Sequence, residues 1–172
     1  MRNTLKLVAA TIRIRRDIVA QMISHAAREP REECCGLLGG RDAAITAIFP
    51  ATNAAENPAT AYEIAPREIF RTVCEIRAAG LELLGIYHSH PSSENTPSPR
   101  DIERAYYPDA AYFILSPRPA PPHSAAPPIA PRSKSLQSAA SRADPPRPEE
   151  TNSVRAFSIR DGAVTELSVE ML

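Results

Sequence analysis

The stretch Leu83-Leu84-Gly85-Ile86-Tyr87-His88-Ser89-His90-Pro91, followed after six intervening residues by Ser98-Pro99-Arg100-Asp101, decides how the chain is read. Leu83 to His88 is a largely apolar run of the length of a buried strand. Side chains two apart on a strand point to the same face, so His88 and His90 converge on one point. Pro91 ends the hydrogen-bonded ladder, which leaves both rings near the rim of a sheet. Neutral imidazole is the commonest nitrogen ligand of zinc. Taken alone, however, a His-x-His pair reads as an ordinary polar strand end.

The second half of the stretch also has two readings. Ser98 is an N-cap, Pro99 suits the first helical position, and Asp101 closes a capping box on the cap's backbone amide. That accounts for these residues without a metal. The same capped, rigid turn can also hold Asp101 toward the two rings with Ser98 beside them. Two imidazoles and one carboxylate make three protein ligands and leave a fourth zinc position for water. Hydrolysis there needs a carboxylate to carry a proton without ligating the metal. Glu33 is the candidate and Glu32 its rival, both just upstream of the apolar run Cys35-Gly36-Leu37-Leu38.

Working outward, the chain alternates strand and helix signals. Thr11 to Ile14 reads as a strand. Residues 16 to 29 form a helix with Ile18, Val19, Met22, Ile23, Ala26 and Ala27 on one stripe. Cys35 to Gly40 is a buried strand with its turn at Gly39 and Gly40. Strands are also predicted over Ala43 to Phe49 and, briefly, Tyr62 to Ile64. Residues 66 to 79 are an amphipathic helix with Ile69, Phe70, Val73 and Ile76 inward. Ser98 to Tyr106 starts a helix and Ala110 to Ser116 is a strand. Val154 to Ile159 and Ala163 to Val169 flank Asp161-Gly162, a hairpin signal. The sum is an α/β fold with one mixed sheet and flanking helices. Cys34, Cys35 and Cys74 read as core residues, and His25 as a helix-surface residue.

Taken together, Glu33 upstream, then the pattern H-x-H-x7-S-x2-D over His88 to Asp101, resembles the signature of the JAMM (MPN+) zinc metallopeptidases. The run Glu33-Cys34-Cys35-Gly36-Leu37-Leu38-Gly39 is similar to that family's glutamate-bearing strand, which favours Glu33 over Glu32. The resemblance implies a cytidine-deaminase-like MPN sheet. It implies that His88, His90 and Asp101 hold Zn2+, that Glu33 is the general acid/base, and that Ser98 steadies the oxyanion. It further implies cleavage of a peptide or isopeptide bond at the C-terminal Gly-Gly end of a ubiquitin-like or sulfur-carrier protein. The short bacterial members are the most similar. Where related sequences often have Gly after His-x-His-Pro-x, this chain has Ser93. Three alternatives stand beside this: a RadC-like member without a peptidase role, a partner-binding MPN scaffold without metal, and a two-His-one-carboxylate iron oxygenase. The last has no use for Glu33 or Ser98.

The bulk composition agrees with one domain. The chain has 172 residues, 43% of them hydrophobic and 5% aromatic, with no Trp. Twenty basic and twenty acidic residues cancel, so no charge excess points to nucleic acid or an anionic membrane. The apolar run Leu7 to Ile12 is too short to span a bilayer, and Arg13, Arg15 and Arg16 close it. With three cysteines, two of them adjacent, no disulfide framework is read, and a reducing cytoplasm is the expectation. One segment stands apart. Residues 117 to 151 are rich in Pro, Ala and Ser, with too little apolar surface to offset ordering entropy. They are expected to form a disordered insert within a single domain over residues 1 to 172. The insert holds one histidine, His123, and no cysteine, so it cannot by itself build a second zinc site.

Overall fold

A computed structural model of the chain describes residues 11–116 and 154–172. In chain order the described elements are β1 (Thr11–Ile14), α1 (Arg16–Arg28), β2 (Cys35–Arg41), β3 (Ala44–Ala51), α2 (Pro66–Ala78), β4 (Glu82–Ser89), α3 (Pro99–Glu103), β5 (Ala111–Leu115), β6 (Val154–Arg160) and β7 (Ala163–Met171). The Pro-rich segment predicted as an insert lies outside the described residues. So does most of the apolar run before Arg13. Among the described residues, no helix is long and apolar enough to cross a membrane.

The expected mixed sheet is present, and it closes on itself. Its order is β1-β3-β2-β4-β5-β6-β7, with β7 pairing in parallel with β1. At its centre β4 lies antiparallel to β2 and parallel to β5. These strands are apolar on both faces because both faces are covered. Tyr87, Phe113 and Leu38 point into a cluster with Ile18, Val19, Met22 and Ala26 of α1. Ile86, Tyr112 and Ile114 pack with Phe157 and Ile159 of β6. Cys35 and Leu37 meet Ile64 and Ile76 beside α2. Burying one such Ile, Leu or Met side chain is worth about 1.5–3 kcal/mol, so the α1 stripe is enough to fix that helix on the sheet.

Several expectations need correction. The β2–β3 turn is not at Gly39 and Gly40 but at Asp42 and Ala43, both in the left-handed region at φ 53° and 57°. The two glycines lie within β2, where the ladder register shifts. A Cβ on Gly40 would stand 2.1 Å from the Ala44 carbonyl oxygen, so glycine is required there by contact. Tyr62 to Ile64 forms no strand; the segment is held instead by side-chain bonds described below. Phe70 is 73% exposed rather than inward, because α2 buries its other face through Thr72 and Ile76. The helix begun at Ser98 stops after Glu103. Cys34 and Cys35 are core residues as read, but Cys74 is exposed. His25 is half-buried, its Nδ1 2.8 Å from the Tyr87 hydroxyl. The closing hairpin is as predicted, with Asp161 and Gly162 at φ 49° and 79°.

Gly40→Ala is expected to lower stability by about 2–3 kcal/mol through overpacking against backbone. Gly162→Ala meets nothing within 4 Å and should cost only about 1 kcal/mol, from its left-handed φ. The order of the two urea midpoints checks the distinction.

Candidate metal centre

The strand register brings Glu33 to the histidines. In the β2–β4 ladder Cys35 lies opposite His88, and the pairing continues one step further through Ser89 N–H to the Cys34 carbonyl at 3.0 Å. Continued again, it sets Glu33 across from His90. Residues directly opposite share a face. Glu33, His88 and His90 therefore converge, and one ligating atom from each lies within 4.8 Å of the others. Glu32, on the other side of the chain, is exposed. The Glu33 backbone is fixed as well: its N–H donates to the Pro58 carbonyl at 2.7 Å, and its own carbonyl accepts from the Asn53 amide at 2.9 Å.

The two rings are oriented differently. The Glu94 carbonyl lies 2.6 Å from His90 Nδ1. A carbonyl can only accept, so His90 carries its proton on Nδ1 and presents the Nε2 lone pair inward. His88 is fully buried and its Nδ1 has no partner among the described residues. It is held instead by stacking on Tyr62, with ring centroids 4.4 Å apart and planes 21° apart. The Nε2 atoms of the two rings end 3.0 Å from each other.

Asp101 completes the group. Its Oδ1 lies 3.4 Å from His88 Nε2 and its Oδ2 3.4 Å from His90 Nε2. The capping box is present too: Ser98 N–H donates to Asp101 Oδ2 at 2.7 Å, and Asp101 N–H donates to Ser98 Oγ at 3.2 Å. The capping box and the approach of Asp101 to the two rings therefore coexist in this turn. The cap fixes the carboxylate whose other contacts are the imidazoles. Ser98 Oγ accepts in the cap, and the Ser98 side chain also hydrogen-bonds the Asp101 carboxylate. Glu33 stands farther back, and its carboxylate makes no hydrogen bond or ion pair with either ring among the described residues.

The donor set suits a divalent metal of zinc's kind. Four ligands at about 2.0–2.1 Å around a tetrahedral ion are about 3.3 Å from one another. The three closest donors here span 3.0 to 3.4 Å. Two lone pairs at that separation repel unless a cation or a proton lies between them.

The electrostatics set the two carboxylates apart. Burial alone would raise the Asp101 carboxyl, but the imidazoles and the Ser98 cap overcome it and hold it well below the usual carboxylate range. Burial pushes Glu33 up to about 7; Asp101 adds to this, while His90 and Arg100 oppose it. Burial lowers His88. For His90, burial is outweighed by Asp101 and the Glu94 carbonyl, and its value rises. One carboxylate thus stays ionised at all ordinary pH. The other sits near neutrality, where a group that takes and returns a proton works best.

His88 and His90 lie at the end of β4, and both rings are buried. A cavity of about 690 Å3 lies beside the group, lined by Ser98, Arg100 and Asp101 together with Tyr62, Ile64, Ile69 and Val73; Glu33, His88 and His90 are not among its lining residues. Phe70 and Tyr106, 73% and 74% exposed, also line it. Sequence reasoning missed two residues that shape this side. Tyr62 backs His88. Asn53 ties down the segment carrying Tyr62: its amide donates to the Ala61 carbonyl, and its side-chain oxygen accepts from Glu63 N–H and Ala55 N–H. The local signal for Asn53 was only that of a loop residue able to bond nearby backbone; nothing local marked Tyr62.

This arrangement is that of a JAB-type domain. The family described as prokaryotic homologs of the JAB domain matches residues 15–127, and the chain belongs to it. It is similar to the desampylase of Haloferax volcanii, 38% identical over 117 residues, which covers 64% of this chain and 84% of that protein. It is similar to the CysO-cysteine peptidase of Mycobacterium tuberculosis, 32% identical over 161 residues, 92% of this chain and 90% of that one. Among solved structures, the solution structure of a Desulfitobacterium hafniense protein matches with a TM-score of 0.67 and 25% identity, covering 94% of this chain and 92% of that one.

Ser98→Ala is expected to cost about 1 kcal/mol of stability through loss of the cap on the Asp101 amide, read from thermal or urea unfolding in the presence of a chelator.

Proposed function

We propose that the protein is a zinc-dependent metallopeptidase that hydrolyses a peptide or isopeptide bond at the C-terminal Gly-Gly end of a ubiquitin-like or sulfur-carrier protein. The observation that carries this is the meeting of two imidazole nitrogens and a carboxylate at 3.0 to 3.4 Å, buried, with a second carboxylate standing behind them. His88, His90 and Asp101 would hold the metal. When bound, zinc supplies a Lewis acid and makes water acidic enough to attack near neutral pH.

The chain's own residues do the rest. Glu33, not ligating, takes a proton from the attacking water and passes it to the leaving nitrogen as the C–N bond breaks. The carrier leaves with a new carboxylate and the departing group with a free amine. The Ser98 hydroxyl donates to the oxygen that gains charge at the carbonyl, a contribution of about 3–4 kcal/mol for one such donor in other hydrolases. Tyr62, stacked on His88, keeps that ring from turning. The names of the related desampylase and CysO-cysteine peptidase support both the reaction type and the substrate class. A cytoplasmic site of action fits unpaired Cys34 and Cys35.

Metal analysis of the purified protein should find about one zinc per chain. Glu33→Gln should keep zinc and lose cleavage, whereas His88→Ala should lose zinc. Cleavage is read as mass loss at the C-terminus of ubiquitin-like proteins extended beyond Gly-Gly. Turnover by Glu33→Gln at the wild-type rate would refute the base assignment. Asp101→Asn should release zinc to a chelator; if it kept zinc and cost only ~1 kcal/mol in stability, its role would be the cap alone.

A further inference from the structure

In the β2–β3 ladder Cys35 lies opposite Ala51, and two residues further on Glu33 falls level with Asn53. β3 has ended by then, and the Asn53 side chain takes over from the backbone. Its Nδ2 donates to the Glu33 carbonyl at 2.9 Å and to the Ala61 carbonyl at 2.9 Å. Its Oδ1 accepts from Ala55 N–H at 2.9 Å and from Glu63 N–H at 3.1 Å. An amide has two N–H donors and an oxygen with two lone pairs, so its bonding capacity is filled. The partners also force its orientation, since carbonyls only accept and backbone N–H groups only donate.

These bonds reach both halves of the candidate centre. Glu33 carries the carboxylate that stands behind the imidazoles. Ala61 and Glu63 flank Tyr62, whose ring stacks on His88. Glu33 and Ala61 are buried, so their carbonyls would find little water if the amide were lost. The rest of the loop follows the same plan. The Pro58 carbonyl accepts from Glu33 N–H at 2.7 Å, and Ala54 N–H donates to the Glu63 carbonyl at 2.7 Å. Asn53 sits at the neck of this loop, with Glu33 on one side and the neighbours of Tyr62 on the other.

We infer that Asn53 is a positioning residue for the reaction: through one side-chain amide it sets where Glu33 stands relative to His88. The inference rests on the peptidase reading above, in which Glu33 carries the proton and His88 holds the metal. A proton carrier works only within hydrogen-bond reach of its water. A backbone shift at Glu33 or a turned His88 ring would each spoil that distance, and the same amide guards against both.

The test uses the full chain loaded with zinc, or with cobalt in its place, and a ubiquitin-like carrier extended beyond Gly-Gly. Asn53→Asp keeps the shape and the two accepting bonds, loses both donating bonds, and sets a carboxylate oxygen against two carbonyls. Its kcat should fall by about tenfold to a hundredfold. KM should change by less than about threefold, because Asn53 does not line the cavity. Zinc should pass to a chelator about tenfold faster, although the added negative charge would by itself slow release. The visible absorption bands of the cobalt form should shift, since they report ligand geometry. Asn53→Ala, which adds no charge, should change in the same directions. If Asn53→Asp does not reach the wild-type circular dichroism spectrum, Asn53→Ser, which keeps one donor, replaces it and should fall between. Gly162→Ala, in the β6–β7 hairpin, lowers stability away from this network and should leave kcat, zinc release and the cobalt bands as in wild type. Wild-type kcat and zinc release in folded Asn53→Asp, a loss confined to KM, or equal changes in Gly162→Ala would overturn the inference and leave the peptidase reading standing. A zinc-loaded wild type that cleaves no carrier would sink the peptidase reading, and this inference with it.

Discussion

Two imidazole nitrogens 3.0 Å apart, with no water-accessible surface on one ring and almost none on the other, form the contact around which this fold is arranged. Neutral imidazoles do not approach in that way through their lone pairs unless something positive lies between them. The supports converge on that point. The Glu94 carbonyl fixes the tautomer of His90, Tyr62 fixes the plane of His88, and Asp101 supplies negative charge to both rings. β4 is paired on both edges, with β2 and β5, so its backbone is hydrogen-bonded on both sides up to the point where it holds the two rings. The proposed zinc site is one resolution of this crowding, and its donors already have the spacing of a tetrahedron's edge.

The Ser98 to Asp101 turn shows how a single local structure can serve two ends. A capping box and a set of metal ligands are usually competing explanations for the same residues. Here the carboxylate accepts from the cap's backbone N–H with one oxygen while both oxygens also face the imidazoles. The cap removes rotamer freedom from the Asp101 carboxylate, which under the proposed zinc binding would otherwise be lost at that step, and it does so in a helix only five residues long.

The misread residues share one cause. Tyr62 looked like part of a short strand because aromatic and β-branched neighbours favour strands, yet its segment is shaped by Asn53, nine residues away in sequence, through bonds to backbone. Phe70 fitted the helical stripe, but the groove toward Ser98 and Asp101 leaves that side of α2 uncovered. His25 was read as a surface residue; its partner Tyr87 lies far along the chain. In each case the deciding neighbour is remote, and periodicity within one element carries no information about it.

Spacing alone determined the near-range facts. The strand offset put His88 and His90 on one face, the Ser-Pro-x-Asp order produced a cap, Asp-Gly closed the last hairpin, and apolar runs marked strands covered on both sides. These depend on backbone geometry within a few residues, which sequence specifies directly. The register of β2 on β4, which sets Glu33 opposite His90, was decided only in three dimensions. So were the closing of the sheet through β1 and β7, the burial of both imidazoles, and the cavity beside Ser98 and Asp101. Those features arise from contacts between segments tens of residues apart, whose pairing is fixed by the packing of the whole core and not by any one stretch of the chain.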